Sequence, residues 1–142
     1  MAGAKTFKIV LLGAALLPAC SCDSEDVAVP DSVIAHAQIQ SAIIPQSVAY
    51  GTTLRISVRV VEGCRFGEWQ GAEIRLDKRS IYVETRARVS FDLSPDCVTR
   101  EEIHSVPVSF SSEKGSQSLP PGLWDVFVVG RNTTVTGRVK VS

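Results

Sequence analysis

The chain has 142 residues and carries 15 basic and 15 acidic side chains, so its formal net charge is zero. Hydrophobic residues make up 44% and charged residues 21%, which suits one packed domain and excludes a disordered chain. The balanced charge also excludes the basic footprint of a nucleic-acid-binding protein.

The N-terminus has the parts of a secretory signal. Lys5 and Lys8 precede an uncharged apolar run, Ile9 to Leu17, and small residues follow at Ala19 and Ser21. That run is about half of the ~20 residues needed to span a bilayer, so residues 1–19 read as a cleaved signal peptide. Its removal takes away two lysines and leaves 13 basic residues, 10 of them arginine, against 15 acidic.

Leu17-Pro18-Ala19-Cys20 resembles the bacterial lipobox, with an aliphatic residue three before the cysteine and a small residue just before it. The resemblance implies diacylglycerol on the Cys20 thiol, cleavage before Cys20 and acylation of the new amine. Ser21 after that cysteine implies an outer-membrane address in bacteria of the proteobacterial type. Two alternatives stay open: lipid on Cys22, which would be followed by Asp23, and ordinary cleavage after Ser21, giving a soluble secreted protein. Residues 20–31 are short, polar and acidic, with Pro30 near the end, and read as a tether.

Residues 32–142 read as strands separated by turns. Val33, Ala35, Ala37 and Ile39 alternate with Ile34, His36, Gln38 and Gln40, and Tyr50-Gly51-Thr52 reads as a turn. Leu54, Ile56, Val58 and Val60 alternate with Arg55, Ser57 and Arg59, the pattern of a half-buried strand. Short strands are expected at 66–69 and 73–78, around Gly71. Over residues 80–91, Ile81, Val83, Thr85, Ala87, Val89 and Phe91 share one face, opposite Tyr82, Glu84, Arg86 and Arg88.

Residues 92–102 form a loop carrying Cys97, followed by a strand over 103–111 whose Pro107 marks an edge position. Residues 111–118 read as a polar loop. Residues 123–129 and 133–141 form a hairpin about Gly130-Arg131-Asn132, with Trp124, Val126 and Val128 facing Val135, Val139 and Val141. The fold class is therefore an all-β, immunoglobulin-like antiparallel sandwich of about seven strands behind a signal helix. Export places Cys64 and Cys97 where disulfides persist, and they are expected to pair.

Gly63-Cys64-Arg65-Phe66, the alternating strands, Cys97 and then Pro121-Gly122-Leu123-Trp124-Asp125-Val126 resemble a type of small bacterial envelope lipoprotein with an immunoglobulin-like domain. The resemblance spans about residues 63–142 and implies fold and location only.

Motifs of catalysis are sparse. No G-x-S-x-G elbow, phosphate loop or dinucleotide fingerprint occurs, and no enzyme activity or cofactor is expected. His36 reads as a solvated side chain. A metal site from His104, Glu101 and Asp96 can be drawn, but without ligand spacing. Arg55, Arg59, Arg86 and Arg88 sit at outward positions and form a candidate basic patch for an anionic glycan or headgroup, against the simpler reading of a charged sheet face.

The functional expectation is a non-catalytic binding or structural module, held to the membrane by its lipid and contacting an envelope protein or glycan. The alternative is an inhibitor of an envelope or secreted protease, with residues 111–121 as the presented loop.

Overall fold

Leu54, Ile56, Val58 and Val60 are all buried, while Arg55 and Arg59 between them are exposed. This alternation makes one face of their strand the floor of the core. The structure is a computed structural model that describes residues 31–112 and 115–142. The segments expected to be a signal peptide and a tether, up to Pro30, and the expected lipidation residue Cys20 lie outside the described residues.

The described residues form eleven strands: β1 (Ser32–Ala35), β2 (Gln38–Ile43), β3 (Ser47–Val48), β4 (Leu54–Glu62), β5 (Glu68–Asp77), β6 (Ser80–Ser90), β7 (Arg100–Val108), β8 (Phe110–Ser112), β9 (Gly115–Gln117), β10 (Gly122–Val129) and β11 (Thr134–Val141). One sheet holds β1, β3, β5, β6, β10 and β11; a second runs β2-β4-β7; β8 and β9 form a small hairpin. Ile81 and Val83 of β6, Val126 and Val128 of β10, and Val139 of β11 pack with Ile56, Val58 and Val60 of β4 in one core. The architecture is the expected all-β sandwich.

Several details differ from the sequence reading. The alternation from Val33 to Gln40 is two strands in two sheets. β1 pairs with the second half of β6, and after His36 and Ala37 the chain crosses over so that β2 pairs with β4. Thr85, fully buried, serves that crossing. Its hydroxyl accepts the Ala37 N–H at 3.2 Å and donates to the Val129 carbonyl at 2.7 Å. Asn132 clamps the start of β2, accepting the Ile39 N–H at 3.1 Å and donating to the Ile39 carbonyl at 3.0 Å.

Two pairings are parallel rather than antiparallel: β6 with β10, and β3 with β11. The β5–β6 hairpin sets its second strand beside β10, and that order fixes the direction. The expected strands at 66–69 and 73–78 are one strand, β5, interrupted by a bulge between Trp69 and Gly71. Phe91 lies just past β6 and is 58% exposed, not on the inward face. The segment read as a polar loop contains the β8–β9 hairpin, followed by buried Leu119.

Candidate functional site

The open flank of the sandwich lies between β5, an edge of the first sheet, and β7, an edge of the second. A cleft of about 640 Å³ runs there, with Trp69, Ala72 and Ile74 on one side and Ser105, Val106 and Pro107 on the other. Both edges carry features that discourage pairing with a further strand. Pro107 has no N–H to offer, and the bulge at Trp69–Gly71 distorts the ladder of β5.

Glu62 lies beside Trp69, at one end of the cleft wall. It ends β4 and continues the inward phase of Leu54, Ile56, Val58 and Val60, so its carboxylate is carried into the interior, with a side-chain exposure of 6%. Glu62 Oε1 accepts the Trp69 N–H at 2.9 Å and lies 3.1 Å from His104 Nε2. A carboxylate only accepts, so Nε2 is the donor in this contact. The His104 ring stacks on the Trp69 indole, centroids 4.6 Å apart and planes 8° apart. One carboxylate thus ties β4 to β5 and β7 and occupies a backbone donor on an edge.

Arg100 completes the cluster. Its guanidinium pairs with Glu68, lies 3.4 Å from Glu62 Oε2 and 3.5 Å from Glu102. The hydrogen bond and charge of Glu68, with Glu62 and Glu102 adding, raise the Arg100 pKa above its ordinary value. A raised pKa favours the protonated form in the fold. This contribution is therefore present throughout the neutral range and is lost only as pH rises through the folded value.

The disulfide Cys64–Cys97 fastens the loop before β7 to the turn before β5, with Cα atoms 5.4 Å apart. The turn is a single 3-10 turn, Cys64–Phe66, between Gly63 and Gly67. Gly63 has φ +89°, and a Cβ there would meet the Val98 carbonyl oxygen at 2.2 Å. Glycine is what lets the two disulfide-bearing segments approach.

The other residues singled out from the sequence do not form one site. Arg55 and Arg59 lie on the outer face of the second sheet, and Arg86 and Arg88 on the outer face of the first. The four-arginine patch is therefore corrected to two pairs on opposite faces, because alternation tells inward from outward but not which sheet a strand joins. Arg59 is 3.6 Å from Glu101, Arg86 pairs with Glu73, and Arg88 donates to the Ser32 hydroxyl at 3.3 Å. His36 is exposed, with Nδ1 3.0 Å from the Thr85 carbonyl. His104 turns to Glu62, and among the described residues no group of three metal-ligating side chains converges.

Glu62 and Trp69 were not singled out as site residues in the sequence. The signal for Glu62 is its phase: a carboxylate at an inward position of a strand needs partners, and here two side chains, His104 and Arg100, and a backbone donor surround it. No protein-family model, curated protein or solved structure matches the chain.

Proposed function

We propose that this chain is a non-catalytic binding module of the bacterial envelope, anchored by lipid on Cys20, which receives an envelope protein or glycan in the cleft between β5 and β7. The cleft carries this reading. It is large enough for a ligand, mixes apolar walls with serine and glutamate groups, and is held open by a bonded rim. The titratable groups at its end are engaged with one another: Glu62 with Trp69, His104 and Arg100, and Arg100 with Glu68 and Glu102. Such a rim favours a fixed shape over proton transfer. The lipobox-like Leu17-Pro18-Ala19-Cys20 and the short tether support the location.

Site-specific photocrosslinking in intact cells tests this. A photoreactive residue at position 105, in the cleft, is expected to give a discrete adduct, whereas one at position 55, on the outer face of the second sheet, gives none. Equal adducts at both positions, or none at 105, would overturn the assignment of the cleft.

A further inference from the structure

The outer face of the first sheet carries a row of side chains in cross-strand register. Arg75 of β5 is opposite Tyr82 of β6, Tyr82 opposite Phe127 of β10, and Phe127 opposite Thr136 of β11. The first three form a continuous stack. The Arg75 guanidinium lies 4.1 Å from the centre of the Tyr82 ring, and the Tyr82 and Phe127 rings stand 5.0 Å apart with planes 15° from parallel. The cation closes the stack at the Tyr82 end. At the other end, Phe127 turns its second face toward β11, where its register partner is only a threonine.

A hollow of about 410 Å³ occupies that place, lined by Asp125, Phe127, Thr136, Gly137 and Arg138. Arg138 donates its Nε–H to Asp125 Oδ1 at 3.0 Å. The second carboxylate oxygen and the two Nη groups of that pair make no hydrogen bond among the described residues. The hollow thus joins an open ring face to an acceptor and a donor held side by side at its margin.

We infer that this hollow is a subsite for a pyranose ring of a neutral polysaccharide, stacked on Phe127 and bonded through its hydroxyls to Asp125 and Arg138. A pyranose offers an apolar C–H face with hydroxyls around its rim, and each neighbouring hydroxyl pair can both donate and accept. The ring face takes the first, and the Asp125–Arg138 pair takes the second through charge-assisted bonds. A flat aromatic ligand would use Phe127 but offer no donor to the second oxygen of the Asp125 carboxylate, and a nucleotide would bring phosphate beside it. The subsite lies on the outer face of the first sheet and does not depend on the cleft between β5 and β7.

Titration of the full-length protein with β-1,4-linked tetramers of glucose and of N-acetylglucosamine, followed by amide chemical shifts, tests the subsite. Saturable binding of at least one tetramer is expected, with shifts centred on Phe127, Thr136 and Arg138. Phe127→Ala should weaken it about tenfold, and Asp125→Asn severalfold, while Phe127→Tyr preserves it. Thr136→Phe, at an exposed position, should fill the hollow and abolish binding with the fold retained. Absence of binding to both tetramers at millimolar concentration, or binding that survives Phe127→Ala and Thr136→Phe, would overturn the proposal. Shifts centred on β5 and β7 instead would do the same, because they would put the glycan in the cleft.

Discussion

At the scale of single residues, Glu62 is the polar side chain with most at stake. Its carboxylate is 6% exposed and holds the Trp69 N–H, His104 and Arg100, so truncation leaves a partly buried donor and an imidazole without their acceptor. Glu62→Ala should therefore destabilise the domain by about 1–3 kcal/mol, and Glu62→Gln, which keeps an acceptor for Trp69, by less. Arg59→Ala, which breaks a half-exposed pair with Glu101, should stay within about 0.5 kcal/mol. Urea denaturation at neutral pH measures all three. An effect of Glu62→Ala as small as that of Arg59→Ala would show that the cluster does not hold the rim. This residue was legible in principle, since it sits in phase with four buried aliphatics of β4. Its partners were not, because β4, β5 and β7 meet only through long-range pairing.

At the scale of elements, the crossover between β1 and β2 is where local pattern and tertiary structure part. Val33 to Gln40 reads as one alternating strand, and nothing local marks the change of sheet. The mark lies 48 residues away, where Thr85 occupies an inward position of β6 and bonds Ala37. Thr85→Val keeps the volume and removes the hydroxyl, leaving the Ala37 N–H and Val129 carbonyl without that partner. A loss of about 1–3 kcal/mol is expected, with faster hydrogen exchange at Ala37 than at Val58. Unchanged exchange at Ala37 would mean that the hydroxyl does not hold the crossing. The strands with strict alternation, β4, β6 and the β10–β11 hairpin, were legible from sequence because their inward residues are aliphatic and regularly spaced. The parallel contact of β6 with β10 was not, since strand direction depends on which member of a hairpin lies beside the neighbour.

At the scale of the whole molecule, the sandwich is fastened at one end by Cys64–Cys97, which closes a loop of 33 residues. In the chain-entropy treatment such a loop contributes roughly 3–4 kcal/mol. That pairing was legible because the signal-like N-terminus implies export, and export would make a disulfide the expected fate of two cysteines. The cleft was not, because it belongs to the edges of two sheets whose strands are far apart in sequence. With lipid on Cys20, residues 21–31 would span at most about 36–40 Å when fully extended, keeping both the cleft and the Phe127 hollow close to the membrane. Attachment to the envelope is thus the premise on which both proposed binding sites acquire their setting. Metabolic palmitate labelling of the wild type, Cys20→Ser and Cys22→Ser tests it most directly. Label in the wild type and in Cys22→Ser, with none in Cys20→Ser, is the expected result. An unlabelled wild type, or label kept in Cys20→Ser and lost from Cys22→Ser, would contradict the anchor at Cys20 and the outer-membrane address drawn from Ser21.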